Sequence, residues 1–151
     1  MDLTARLSRH QRLMGLDLGS KTIGLALSDV TRTIASPYAT IQRTKFTPDV
    51  KKLLDYVDKE GVGGLVIGLP VSMDGSEGPR CQSVRQFATN LLQKIDLPVL
   101  FWDERLSTAA VERMLVDEMD ISRARRRAVV DKAAAAYILQ GALEALRTRR
   151  G

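Results

Sequence analysis

The chain has 151 residues, 44% of them hydrophobic, with a formal net charge of +5, which suits one domain with a proper core and needs no second. One cysteine, Cys81, excludes an internal disulfide, and with His10 as the sole histidine there is no zinc set, so any metal must be held by oxygen. The first dozen residues are polar and no later apolar run approaches the ~18 residues of a membrane span, so a cytoplasmic protein without membrane contact or organic cofactor is expected.

In chain order, residues 1–12 read as a flexible N-terminal segment, 13–147 as a single domain and 148–151 as a basic tail. The stretch "LMGLDLGSKTIGLALSD" opens the domain with two alternating runs. Met14, Leu16 and Leu18 share one face of the first strand, and Gly15, Asp17 and Gly19 share the other. After a turn at Ser20 and Lys21, Ile23, Leu25 and Leu27 alternate with Gly24, Ala26 and Ser28, so a hairpin is predicted. If the two small faces coincide, Asp17 lies on a floor cleared of side chains, where a backbone, a metal ion or a phosphate can approach.

"TRTIASPYATIQR" is a third strand, bulged or at an edge near Pro37. "TPDVKKLLDYVDKEG" is a helix with Thr47 as cap and Pro48 at its first position, carrying Val50, Leu53, Leu54 and Val57 at helical spacing and ended by Gly61. "GGLVIGLPV" is a strand buried on both faces, "PRCQSVRQFATNLLQKID" a second helix and "LPVLFWDERL" a second buried strand. Ser107 caps a helix to about Glu118, and a basic loop then precedes a last helix from about Val129 to Arg147.

A meander of three antiparallel strands, followed by helix, strand, helix and strand with parallel crossovers, gives a mixed five-stranded α/β sheet with helices on both faces. By analogy among folds this is the ribonuclease H-like arrangement, in which carboxylates sit on the first strand, near a later strand end and on the closing helix. Three places meet that description: Asp17, the pair Asp103 and Glu104, and Asp131 in "VVDKAAAAYILQ". Asp103 and Glu104 point to opposite faces, so one of them joins Asp17, and alternation leaves open which. Each place has a plainer explanation: an exposed strand end, a turn, and an acid favoured by the helix dipole in a first turn. Converged carboxylates would repel one another, and a divalent Mg²⁺ or Mn²⁺ with all-oxygen ligation resolves that repulsion and supports phosphodiester hydrolysis.

Four segments, "GLDLGSKTIGLALSD", "VIGLPVSMDGSEGPRCQSVRQFA", "FWDERLSTAAVERML" and "VVDKAAAAYILQGALE", closely resemble in order and spacing the YqgF/RuvX family of bacterial pre-16S rRNA nucleases, also described as Holliday-junction-resolvase-like. The resemblance covers the chain from Leu13 to about Leu146. It implies a ribonuclease H-like nuclease that trims the precursor end of small-subunit ribosomal RNA. By position, Asp17 matches the first-strand aspartate, Glu104 the glutamate of the "DER" motif, and Asp131 the acid of the last helix, as catalytic residues and metal ligands, with Asp103 the alternative to Glu104.

The basic residues then acquire a partner. Lys21 in the hairpin, Arg80 after the "GLPVSMDGSEGP" loop, Arg105, and the cluster Arg123, Arg125, Arg126 and Arg127 are candidate nucleic-acid contacts. Arg105 has the rival role of pairing with Asp103 or Glu104, and Trp102 reads as core. The competing functions are a DNA-junction resolvase, a nucleic-acid-binding module without catalysis, and an actin-like or sugar-kinase-like ATPase, against which a single domain argues.

Overall fold

The computed structural model describes Leu7 and residues 11–106 and 123–150, with side chains for 132–147 of the last stretch. The expected helix from Ser107 and the side chains of Arg123, Arg125, Arg126, Arg127 and Asp131 lie outside the described residues.

Strands β1 (Arg12–Leu18), β2 (Thr22–Ser28) and β3 (Ala35–Gln42) form the antiparallel meander. Helix α1 (Phe46–Glu60) leads to β4 (Val62–Leu69), which lies parallel to β1, and α2 (Pro79–Leu92) leads to β5 (Val99–Asp103), parallel to β4. A short 3-10 turn, Glu104–Leu106, follows, and helix α3 spans Arg123–Arg150. The sheet order is β3-β2-β1-β4-β5, so β1 is central and the crossovers put β4 beside it, inside the edge strand β5. β4 is buried along its whole length, as its unbroken apolar run requires of a strand covered on both faces.

Alternation along β1 and β2 divides the core in two. Met14, Leu16, Ile23 and Leu25 face α1 and α2, where they meet Val50, Leu53, Val84 and Leu91. Leu13 and Ala26 face α3 and meet Ala135, Ile138, Leu139 and Leu143. The approach of α3 is close: a Cβ at Gly15 would lie 2.8 Å from the Ala135 carbonyl oxygen and 2.8 Å from Leu139 Cβ. Glycine at that strand position and alanine on the facing helix therefore set the helix-to-sheet distance. Among the described residues no helix is long and apolar enough to cross a membrane.

The edge strand β3 takes Pro37 through a bulge, since Leu25 pairs with Ala39 and Ala26 with Pro37, leaving Tyr38 as the extra residue. Two helix starts differ from the sequence expectation. Thr47 does not cap α1, which begins at Phe46 with Lys45 as an N-cap that makes no side-chain bond. Asp49 reaches back instead, accepting from the Thr44 amide at 3.1 Å and the Thr44 hydroxyl at 2.9 Å. Helix α3 begins at Arg123 rather than near Val129, so the arginine cluster is helical and not a loop. Arginine and alanine are good helix formers, and "RARRRA" contains no breaker. Asp131 consequently lies more than two turns inside α3, beyond the first turn in which a helix dipole rewards an acid.

Candidate active site

Asp17 is the next-to-last residue of β1, and its cross-strand partner is Gly24. The small faces of the hairpin therefore coincide: Gly15 lies opposite Ala26 and Asp17 opposite Gly24, on the α3 side of the sheet. Asp17 is half-buried at the carboxyl ends of the parallel strands β1 and β4, where open α/β sheets build sites.

The register of β5 decides between the two acids that follow it. Trp102 pairs with Gly68 and packs in the α3-side core, so two residues on, Glu104 returns to that same side. A Cβ at Gly68 would meet Glu104 Cγ at 3.0 Å and Cδ at 3.2 Å. Gly68 is thus the floor over which the Glu104 side chain crosses to β1, and its carboxyl reaches hydrogen-bonding contact with that of Asp17. Burial pushes the Glu104 carboxyl above the ordinary glutamate range; the contact with Asp17 and the charge of Arg80 oppose the rise, and Asp103 adds to it. Two carboxylates in contact are tenable only if one carries a proton or a cation lies between them.

Asp103 points away from this pair. It accepts from the Arg105 amide at 2.9 Å and from the Arg105 guanidinium at 2.6 to 3.1 Å, and these bonds hold its carboxyl below the usual aspartate range. Arg105 also reaches the Ser72 carbonyl at 3.5 Å, so it ties the end of β5 to the loop that precedes α2. Lys21 and Arg80 are exposed on the rim of the same sheet end, in the β1–β2 turn and the first turn of α2. Among the described residues no group of three His, Cys, Asp or Glu side chains converges, and the Asp131 side chain is not among them. The backbone of position 131 lies one turn before Ala135, the α3 residue over Gly15. Oxygen-only donors in contact fit a hard divalent cation such as Mg²⁺ or Mn²⁺ and not a soft one.

One residue escaped the sequence reading. Arg43 follows β3, and its amide donates to the Lys21 carbonyl while its guanidinium donates to the Gly19 carbonyl at 2.7 Å. It therefore stands over the β1–β2 hairpin turn, two residues beyond Asp17 in the chain. Hairpin register extended past Gln42 would have placed it there, since Gln42 pairs with Thr22.

Over residues 11–145 the chain matches the RuvX family, described as Holliday junction resolvase. A protein of Paramagnetospirillum magneticum named "Putative pre-16S rRNA nuclease" is 70% identical over 95% of this chain and 92% of its own length. A relative of the same name from Rhodospirillum rubrum is 64% identical over 91% of this chain and 86% of its own. Among solved structures, RuvC of T. thermophilus in complex with a Holliday junction substrate superimposes with a TM-score of 0.54 at 14% identity, over 94% of this chain and 97% of that one. Fowlpox virus resolvase in a Holliday junction DNA complex gives a TM-score of 0.55 at 10% identity, over 90% of this chain and 99% of that one. These two likenesses establish the ribonuclease H-like fold. A family match running from the start of β1 into the last turns of α3, with relatives alike along nearly their whole length, establishes that the chain belongs to the RuvX family.

Proposed function

We propose that this chain is a divalent-metal-dependent nuclease that trims the precursor end of 16S ribosomal RNA in the cytoplasm during ribosome biogenesis. As a RuvX family member it is an enzyme that hydrolyses phosphodiester bonds, and the names of its relatives supply the RNA substrate. The observation that carries the metal dependence is the contact between the Asp17 and Glu104 carboxyls over Gly68. Asp17 and Glu104 would hold the cation, and Asp131 would complete the set from α3. A Mg²⁺ or Mn²⁺ ion held there would supply Lewis-acid polarisation of the phosphodiester and charge stabilisation at the leaving oxygen. The protein residues place the strand: Lys21, Arg80 and Arg105 bind phosphates at the sheet end, and Arg123, Arg125, Arg126 and Arg127 extend that contact along α3. The packed α3 face holds the acids at a fixed spacing, so the site needs little reorganisation when substrate arrives.

The test is incubation of the protein with a precursor 16S rRNA end, a single-stranded RNA and a four-way DNA junction in Mn²⁺, Mg²⁺ or EDTA. Metal-dependent cleavage of the precursor end is the expected result. Preferred cleavage of the junction would instead make the chain a resolvase, in line with the family description, and binding without cleavage in any metal would overturn the nuclease reading.

A further inference from the structure

A cavity of about 300 Å³ opens where the β1–β2 turn meets the first two turns of α2, on the side of β1 away from α3. Its rim carries Gly19, Ser20, Arg43, Arg80 and Ser83, and its floor is apolar, with Phe87 at the base. The chemistry of this lining is one-sided: two guanidinium groups and two hydroxyls, with no aspartate or glutamate. One of the cations is held in place, since Arg43 donates to the Gly19 carbonyl at 2.7 Å and its guanidinium carbon lies 5.8 Å from the centre of the Phe87 ring. The other, Arg80, is exposed in the first turn of α2 on the same rim. The opening helix adds to the positive potential, because α2 begins at Gly78 and Pro79 with no side-chain cap and no acid in its first turn.

We propose that this cavity is a second phosphate subsite, which takes one phosphodiester of the nucleic-acid strand adjoining the bond held at Asp17 and Glu104. It rests on the reading of the chain as a nuclease, because the acidic pair defines which phosphate is the neighbour. Gly19 follows Asp17 by two residues, so a strand whose scissile phosphate lies at the pair passes over the hairpin turn toward Arg43 and Arg80. A guanidinium fork matches the oxygens of a phosphate, whereas the apolar floor offers nothing to a hydrated cation. The subsite lies on the side of β1 away from the backbone of α3, so substitution of Arg43 tests it separately from α3.

The experiment measures the affinity of the full-length protein for a short labelled single-stranded RNA in EDTA over a range of salt concentrations. Parent, Arg43→Ala, Arg43→Lys and, as a control on the exposed face of α1, Lys52→Ala are compared, with melting curves to verify folding. The expected result is a log affinity against log salt slope shallower by about 0.7 for Arg43→Ala, the value for one lost single-strand phosphate contact, restored in Arg43→Lys and unchanged in Lys52→Ala. An Arg43→Ala slope equal to the parent's, or no RNA binding by the parent, overturns the subsite. A nucleoside monophosphate that competes in the parent but not in Arg43→Ala, while the RNA slope is unaltered, overturns it in favour of a small-anion site. Cleavage of the same RNA in Mn²⁺ separates the two claims. A parent that binds with an Arg43-dependent slope yet cuts nothing loses the nuclease reading, and with it the neighbouring scissile bond, but keeps the cavity as a phosphate site; a parent that cuts, with a slope indifferent to Arg43, loses the subsite alone.

Discussion

Glu104 lies across Gly68, so close that a single added carbon at the glycine would stand 3.0 Å from Glu104 Cγ and 2.6 Å from Ile138 Cδ1. The strand thus gives up a side chain at the point where the acid must cross from β5 to β1. Gly68→Ala should destabilise the fold by about 1–3 kcal/mol, the range for overpacking, and should lower cleavage more than RNA binding because it moves Glu104 and not the arginines. Melting curves, binding and Mn²⁺-dependent cleavage measured on one preparation check this. Equal losses in binding and cleavage would mean that Glu104 keeps its place.

Asp17→Asn is nearly isosteric and removes one charge from the acidic pair. Hydrolysis should fall on the order of 10³-fold or more, while the fold and most RNA affinity survive, since the substitution removes no positive charge. In EDTA the variant should melt at or above the parent's temperature, because the contact with Glu104 no longer sets two ionisable acids against each other. Cleavage by Asp17→Asn at the parental rate would show that Asp17 is no metal ligand.

The arginines at positions 125 to 127 fall in the first two turns of α3, where positive charge opposes the helix dipole. Their replacement together by alanine should therefore leave stability unchanged or raise it slightly, while flattening the salt dependence of RNA binding by about 0.7 for each lost contact to a single strand. Titrations of parent and triple variant at several salt concentrations decide the matter, and an unaltered slope would make the cluster a solvated helix start.

At the opposite end of the sheet, Asp29 ties the β2–β3 turn. Its carboxylate accepts from the Thr31 hydroxyl, from the Thr33 amide at 2.8 Å and from the Ile34 amide at 3.0 Å, and these bonds, Thr31 first, draw its pKa down to about 2. A carboxyl with a depressed folded-state pKa contributes stability that is complete above its unfolded value of about 3.9 and is lost as pH falls toward 2. Asp29→Ala should thus cost about 1–2 kcal/mol near neutral pH, with the difference from the parent closing in that acid window. Urea midpoints for both proteins across the range test it, and a gap that persists below the window would assign the loss to packing.

Local residue patterns suffice to read the list of elements and the faces of most of them. Alternation in residues 13–29 and the stripe from Val50 to Val57 follow from the geometry of one strand or one helix, so short-range spacing is enough to read them. The end of α1 is equally local: Gly61 takes φ 65 at the C-cap, a left-handed conformation that favours glycine. The start of α3 was hidden because "RARRRA" has helix-forming residues but no apolar period to announce them. Which acid meets Asp17 depends instead on how the strands assemble. Asp103 and Glu104 are neighbours at the end of one strand, and what separates them is the register of β5 on β4, which pairs Trp102 with Gly68 and sends Glu104 over that glycine while Arg105 holds Asp103 on the other side. The place of Arg43 was settled in the same way. Its partners are the carbonyl of Gly19, 24 residues earlier, and the ring of Phe87 on a separate helix, and no local pattern encodes contacts between elements that meet only when the sheet is assembled.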